Sequence, residues 1–163
     1  MHYQLHQKLA SFGGGSIIQD EHGNVLYTVS SKIGLGKRLE FKDMQDNILV
    51  SIQQKAFSGS PTYEVKLSNG LSATMSRKGL FGPDKLKIVV AGQGEMEGKG
   101  SFAKHELAIL HEGRPVAKFS RTLVVGGNTQ GDPYGIEIED GQDQVLLLCC
   151  AVVMDEIHEL QTD

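Results

Sequence analysis

The chain has 163 residues, a length that fits one domain able to bury a core without disulfides or metals. Hydrophobic residues make up 39% of it, charged residues make up 22%, and its 20 glycines indicate many tight connections, which excludes a disordered or fibrous protein. The formal net charge of −4 gives no overall attraction to nucleic acid or to an anionic membrane. We therefore expect a single domain over residues 1–163, no nucleic-acid partner, and contact with a membrane only through a local patch.

Short alternating runs dominate the chain up to about residue 140. Tyr3 and Leu5 alternate with Gln4 and His6, and the same period of two recurs in the runs 25–29, 39–42, 48–52, 63–67, 71–75, 86–90, 106–110, 116–120 and 134–138. Connectors between the runs are rich in Gly, Asn and Asp, which tolerate the positive φ of hairpin turns. The pattern predicts consecutive antiparallel hairpins. Segments 17–27 and 39–50 resemble each other, which indicates either a reused hairpin unit or the general similarity of any meander.

A different pattern begins after residue 141. Asp143 can cap a helix, and residues 145–154 are all apolar, with Ile157 and Leu160 following at helical spacing. A helix that is apolar around its whole circumference must be enclosed, and a chain that otherwise supplies strands can enclose it in a β-barrel. The apolar run spans about 15 Å, close to the ~17–20 Å of a short strand and short of the ~18 residues of a membrane span. We predict a helix on the barrel axis, with a buried strand as the alternative, and no transmembrane span.

Three segments carry a resemblance to a known family, namely the hairpin 18–29, the turn 110–118, and the segment 132–138 that leads into residues 143–157. They resemble the LURP-one-related proteins of the tubby C-terminal-like superfamily, which also includes the phospholipid scramblases. The resemblance covers nearly the whole chain and implies a mainly β fold, a closed antiparallel barrel of about twelve strands around a buried hydrophobic C-terminal α-helix. It implies less about function, because the relatives include phosphoinositide binders, proteins linked to plant defence, and scramblases linked to lipid transfer and calcium.

The glycine-rich stretch 92–101 follows an apolar run and contains Lys99. A phosphate-binding loop needs four residues between its glycines and Ser or Thr directly after the lysine, whereas Gly100 follows Lys99. We interpret the stretch as a flexible connection between strands and expect no nucleotide cofactor.

Cys149 and Cys150 are sequence neighbours, which on a helix point too far apart for an unstrained disulfide. Enclosed in a barrel, they would be poor nucleophiles, because burial disfavours the thiolate. Residues 1–6 lack the basic and apolar regions of a secretory signal. These features predict a cytoplasmic protein, peripheral to the membrane where it meets lipid.

Histidines and acidic turn residues form no recognisable catalytic motif, and the Gly-x-Ser-x-Gly turn of a serine nucleophile does not occur. His105 and His111 would share one strand face if their strand is continuous, but a metal site would still need a third ligand. We expect no enzyme, no metal and no cofactor. The alternative is an enzyme with a site on the barrel rim, where His105 or His111 meets turn carboxylates.

Basic residues cluster in two places. Cations flank the segment 79–83, which carries Leu80 and Phe81 near its tip, and they are Arg77, Lys78, Lys85 and Lys87. A second group consists of Lys32, Lys37 and Arg38. The first group predicts a site for an anionic phospholipid headgroup, and the alternative for both groups is solvated charge on strand faces.

Taken together, these features predict a binding or scaffold domain without catalytic activity, which contacts an anionic lipid headgroup or a protein partner on the barrel exterior. An axial helix would occupy the lumen in which a barrel usually holds a substrate. The rim-site enzyme is one alternative, and a scramblase-like lipid-transfer protein, in which the apolar segment leaves the barrel, is another.

Overall fold

In the computed structural model, the chain forms twelve strands and one long helix. The structure describes residues 1–9, 15–34, 36–56, 59–78, 83–124 and 133–162. The strands are β1 (His2–Leu9), β2 (Gly15–Asp20), β3 (Val25–Gly34), β4 (Gly36–Asp43), β5 (Ile48–Gln54), β6 (Thr62–Leu67), β7 (Ser72–Lys78), β8 (Asp84–Val90), β9 (Gly94–Ser101), β10 (Glu106–His111), β11 (Arg114–Ser120) and β12 (Tyr134–Ile138). The helix, α1, is Gln144–Thr162, and a short 3₁₀ helix, Arg121–Leu123, follows β11.

The strands form a closed antiparallel barrel in which every strand pairs with its neighbours in sequence. The barrel closes between β1 and β12, where Tyr3 lies opposite Ile136. Closure gives both edges of the sheet a partner, so none of the twelve described strands is left as a template for pairing with another chain. The predicted fold class, a closed barrel of about twelve strands with one C-terminal helix, is confirmed.

The two ends of the barrel differ in their connections. At one end, which we call the turn end, short turns join β2 to β3, β4 to β5, β6 to β7, β8 to β9 and β10 to β11, and residues 139–143 lead from β12 into α1. At the other end, the mouth end, residues 102–105 join β9 to β10 and the last residues of α1 emerge. The helix therefore runs from the turn end to the mouth end.

The predicted apolar helix lies inside the barrel. Asp143 caps it as expected, since its Oδ1 accepts a hydrogen bond from the Leu146 backbone N–H at 3.0 Å. Every residue in 146–154 is at most 4% exposed, so the helix is covered around its whole circumference. As the spacing of Ile157 and Leu160 indicated, α1 continues beyond the apolar run, and it ends at Thr162. Within the described part of the chain, no helix combines the length and apolarity needed to cross a membrane.

Two hairpin turns repeat the same hydrogen bonds. Asp20 accepts from the Asn24 backbone and side-chain N–H groups at 2.9 and 3.0 Å, and Asp43 accepts from Asn47 at the same two distances. Gly23 in the first turn has φ of 85° and Asp46, at the matching place in the second, has φ of 69°. The resemblance between segments 17–27 and 39–50 is therefore a reused turn and not merely a general likeness of meanders.

The stretch 92–101 corrects one prediction, because most of it is a regular strand, β9, rather than a flexible connection. Positions 98 and 100 on the inner face of β9 are occupied by glycine because the neighbouring strand leaves no space for a side chain. A Cβ on Gly98 would lie 3.0 Å from Leu107 Cδ2 and 3.1 Å from Ile109 Cδ1. A Cβ on Gly100 would collide with the Glu106 carbonyl oxygen. Glycine usually weakens a strand, but here it permits the close approach of the neighbouring strand.

Candidate functional site

Three lysines lie side by side on the outer face of the barrel. Lys78 on β7 is directly opposite Lys85 on β8, and Lys85 is directly opposite Lys99 on β9. They point outward, because the alternate residues of β8, Leu86 and Ile88, are fully buried in the core. We call these three residues the lysine row. Adjacent strands are about 4.8 Å apart, so the row extends over roughly 10 Å.

The lysine row forms one wall of a groove of about 610 Å³ on the barrel exterior. Glu97 lies 3.9 Å from Lys85 and 3.8 Å from Lys99, so one carboxylate is shared between two ammonium groups. Lys87, also in the groove, is directly opposite Glu97 and lies 3.6 Å from Glu95. Cations therefore predominate at the lysine row, whereas Lys87 has two acidic neighbours, Glu95 and Glu97, both on β9.

The structure brings together three of the four residues predicted for the headgroup site. Lys78, Lys85 and Lys87 share the groove. Arg77 precedes Lys78 on β7, so its side chain lies on the opposite, inward face, where it pairs with Asp84 at 3.1 Å. Asp84 also accepts a hydrogen bond from the Phe102 backbone N–H at 2.8 Å, so the ion pair links β7 and β8 to the turn 102–105 at the mouth end. Leu80 and Phe81, predicted near the tip of the intervening segment, lie outside the described residues.

The second basic group divides between two faces of the sheet. Lys32 and Arg38 are opposite each other and exposed, and Lys32 pairs with Glu40 at 3.5 Å. Lys37 instead reaches the C-terminal part of α1, where its Nζ lies 2.6 Å from Glu156 Oε2 and 3.2 Å from Glu159 Oε2. Burial lowers the pKa of Lys37, but the hydrogen bonds and charges of the two glutamates outweigh it and raise the pKa overall, so Lys37 stays protonated.

A polar network closes the mouth end, and we call it the mouth cluster: Gln7, His105, Arg121, Tyr134, Asp155 and His158. The Tyr134 hydroxyl donates to Asp155 Oδ2 at 3.0 Å and lies 3.2 Å from the Ala151 carbonyl oxygen. Burial, followed by the charge of Asp155, holds the pKa of Tyr134 well above its usual value. The Tyr134 ring stacks on His105 with centroids 5.2 Å apart, and the His158 ring meets His105 edge-on at 5.0 Å.

His105 is held between a cation and an anion. Arg121 Nη2 lies 3.0 Å from His105 Nδ1, and a guanidinium can only donate, so Nδ1 must accept. The proton of the neutral imidazole then lies on Nε2, which is 3.4 Å from Asp155 Oδ1. The residue adopts φ of 52°, which is uncommon outside glycine. The mouth cluster thereby joins the turn 102–105, the 3₁₀ helix, β12 and α1.

The mouth cluster bears on the predicted alternative of a rim-site enzyme. His105 does meet a carboxylate, but it is only 2% exposed. His111 lies at the opposite end of β10, so the two histidines do not form one site. A cavity of about 80 Å³, lined in part by Gln7 and Asp155, borders the cluster. In the described ranges, no group of three or more His, Cys, Asp or Glu side chains is arranged to hold a metal ion.

Cys149 and Cys150 are both free and fully buried. Burial raises the pKa of both thiols, for Cys149 with a further contribution from Cys150, so neither offers a thiolate near neutral pH. Their predicted role as packing residues on the helix agrees with this placement.

Sequence reasoning missed Lys99 in the lysine row, together with Glu95 and Glu97. The cause was the interpretation of residues 92–101 as a connection, which removed β9 from the sheet and its outer face from the site. A period-two signal was present, since Glu95, Glu97 and Lys99 alternate with Met96 and Gly98. The mouth cluster left no signal of this kind, because its members come from five separate parts of the chain.

Comparison with known proteins gives one family and one fold. The family model described as LURP-one-related matches residues 1–155. The chain is 25% identical over 154 residues to the uncharacterized protein YxjI of Bacillus subtilis (strain 168), covering 94% of this chain and 91% of that protein. It also resembles the X-ray structure of a protein from Arabidopsis thaliana, with a TM-score of 0.69, 14% identity, and coverage of 96% of this chain and 91% of that one.

The likeness to the plant structure concerns the fold alone, because the sequence identity is low. The family match rests on almost the entire barrel and most of α1. It agrees with the segments that carried the resemblance, namely the hairpin 18–29, the turn 110–118 and the approach to α1. The chain belongs to the LURP-one-related family.

Proposed function

We propose that this protein is a non-enzymatic binding domain whose lysine row holds an anionic group, with the phosphate of a lipid headgroup as the ligand. The single observation that carries the proposal is the direct opposition of Lys78, Lys85 and Lys99 on three adjacent strands. Like charges directly opposite each other on a sheet are destabilising. A bound phosphate would remove that repulsion and gain charge-assisted hydrogen bonds from the ammonium groups.

The position of α1 supports a binding site on the exterior. Its apolar side chains fill the lumen, which is where barrels of other kinds hold small molecules. The groove beside the lysine row has a volume of about 610 Å³ and is lined by four lysines, Lys78, Lys85, Lys87 and Lys99.

Neither alternative role draws comparable support. His105, whose Nε2 lies 3.4 Å from Asp155 Oδ1, is buried beneath its own contacts, so a substrate would have to displace them. Lipid transfer by a departing helix would expose the buried face of α1 to solvent and break the hydrogen bond between Tyr134 and Asp155. External binding requires neither change.

The test is co-sedimentation with vesicles of phosphatidylcholine alone and of phosphatidylcholine mixed with an anionic phospholipid. The triple variant Lys78→Gln, Lys85→Gln, Lys99→Gln should bind the anionic vesicles about 100-fold more weakly than the wild type, since each lysine near an anionic surface contributes ~1 kcal/mol. Soluble inorganic phosphate, titrated as a competitor, distinguishes a lipid surface from an isolated phosphate as the ligand.

Two matched controls are available. Lys87→Gln removes a lysine from the same groove, but one placed opposite Glu97, so it should cost less than any member of the lysine row. Lys66→Gln removes an exposed lysine near the turn end and should leave binding unchanged. Failure of the wild type to bind either anionic vesicles or phosphate would overturn the proposal. Equal losses of binding affinity in the single Gln variants of Lys78, Lys85, Lys99 and Lys87 would also overturn it.

A further inference from the structure

The charges of the barrel are separated along its axis. The exposed charged residues at the turn end are mainly acidic, and the acidic ones are Glu21, Asp46, Glu112, Glu139, Asp140 and Asp143. Of these, Glu112 also lines the groove beside the lysine row. Basic residues near them include Arg114, which lies 3.5 Å from Glu139, and Lys42, which lies 3.5 Å from Asp46. Lys66 and the N-terminal ammonium group of Met1, which lies 3.2 Å from Asp140 Oδ1, add two more cations on this side. The turn end therefore presents a surplus of carboxylates to solvent.

The mouth end has the opposite character. Besides the lysine row, the exposed cations among its described residues are Lys32, Arg38, Lys55, Lys104 and Arg121. Most of its carboxylates are withdrawn from solvent or paired: Asp155 is buried, Asp84 pairs with Arg77, and Glu156 and Glu159 pair with Lys37. Glu64 pairs with Lys55 at 3.4 Å, and Glu106 is exposed. Cations therefore dominate the surface around the mouth.

The separation is large enough to act over the length of the molecule. Strands of seven or eight residues tilted by about 40° give an axial length of roughly 20 Å. The Debye length at physiological ionic strength is about 8 Å, so a surface that touches one end hardly senses the other. The dipole of α1 opposes the surface charges, but it amounts to about half an elementary charge at each end, which is less than the several charged side chains there.

We infer that the barrel docks on an anionic membrane surface with its mouth end toward the lipid and its turn end toward solvent. This orientation rests on the proposed function and adds to it the direction of approach. With the mouth end down, the exposed cations lie within a Debye length of the lipid phosphates and the acidic turns lie beyond it. The inverted orientation would bring the acidic turns against a surface of the same sign.

The inference also gives a role to residues outside the lysine row. Lys104 lies in the turn 102–105 at the mouth end, separate from the groove. A headgroup held by the lysine row alone would not require it. A membrane facing the whole mouth end would, so Lys104→Gln should weaken binding to anionic vesicles about fivefold, the effect of ~1 kcal/mol per lysine.

The orientation is tested with two single-cysteine labels at opposite ends. Gln93 and Ala103 are both exposed turn residues, the first at the turn end and the second at the mouth end. Gln93→Cys and Ala103→Cys can each carry a fluorophore on an otherwise unreactive protein, because Cys149 and Cys150 are fully buried. Vesicles of anionic phospholipid that contain a headgroup-linked quencher should quench the label at 103 at least threefold more than the label at 93.

The outcomes separate this inference from the proposed function. Binding with equal quenching at 93 and 103, or with stronger quenching at 93, overturns the orientation and leaves the lysine-row site intact. Binding that Lys104→Gln leaves unchanged, while variants of the lysine row weaken it, also overturns the orientation. No binding of either labelled protein or of the wild type to anionic vesicles overturns both, and retention on an acidic polymer instead would identify a different partner.

Discussion

At the scale of single residues, Tyr134 connects the barrel wall to the helix inside it. Its hydroxyl contacts both the Asp155 carboxylate and the Ala151 carbonyl oxygen, and its ring covers His105. Asp155 is nine-tenths buried, and a buried carboxylate is tolerated only when hydrogen-bonded or paired. The tyrosine thus supplies one of the contacts that allow a charged residue to lie at the end of an apolar helix.

We predict that Tyr134→Phe lowers the free energy of unfolding by about 2 kcal/mol, because it leaves Asp155 Oδ2 without its buried donor. Urea denaturation followed by circular dichroism measures the change.

Tyr3→Phe is the matched control. It removes a hydroxyl that lies 3.0 Å from Gln144 Oε1 at the other end of α1, where the surroundings are partly exposed. It should lower the free energy of unfolding by about 0.5–1 kcal/mol. Equal losses in the two variants would mean that Asp155 does not depend on Tyr134.

At the scale of elements, the sequence predicted the helix and the strands whose own residues show a clear pattern. It failed where the residue type is determined by contact with a neighbouring strand. The run 145–154 is apolar on every side, which is incompatible with a surface helix, so its enclosure followed from the sequence alone. For β9, the glycine at position 98 weakened the alternation that was present, and that glycine reflects the space taken by Leu107 and Ile109 on the adjacent strand. Such a cause becomes visible only once the strands are placed side by side.

The candidate site shows the same division. Alternation along a strand determines which side chains share a face, so the sequence alone is enough to place Lys85 and Lys87 on the same face of β8. The alignment of Lys78, Lys85 and Lys99 across three strands depends on the register of two hairpins, which alternation does not determine. Arg77 was grouped with them by its proximity in sequence, although its side chain points to the other face and pairs with Asp84.

For α1, we predict that Leu147→Asp prevents folding, because an unpaired carboxylate at a position 1% exposed costs several kcal/mol. The control is Leu160→Asp, a chemically identical change in the same helix at a position 44% exposed. It should change the melting temperature by no more than a few degrees. A cooperative thermal transition in the Leu147 variant near that of the wild type would contradict the enclosure of the helix.

At the scale of the whole molecule, carboxylates at the two ends respond to pH in opposite directions. Hydrogen bonds from Asn24 lower the pKa of Asp20, and those from Asn47 lower the pKa of Asp43, at the turn end. At the mouth end, burial raises the pKa of Glu156, with Lys37 opposing the shift. A carboxylate whose pKa is lower in the folded than in the unfolded chain stabilises the fold above its unfolded-state pKa, and that stabilisation is lost as the pH falls. A carboxylate whose pKa is higher in the folded chain stabilises the fold below its unfolded-state pKa, and that stabilisation is lost as the pH rises.

We therefore predict that stability falls as the pH drops below the usual aspartate value of 3.8, as Asp20 and Asp43 take up protons. The double variant Asp20→Asn, Asp43→Asn should be less stable than the wild type at pH 6, and the difference should shrink toward pH 2. Urea denaturation at a series of pH values measures both curves. If the stability curves of the wild type and the double variant run parallel over this pH range, the two turns do not contribute to the loss of stability at low pH.

The order of elements along the chain also has a consequence for folding during synthesis. The helix that fills the barrel follows all twelve strands, and the pair that closes the barrel, β1 and β12, joins residues more than 130 positions apart, as in Tyr3 and Ile136. As the ribosome releases the chain, the hairpins can form one after another, but their inward faces have no filling until residues 144–157 emerge. The barrel therefore completes only after the helix has emerged, and until then the nascent strands present apolar surface on which chaperones would act.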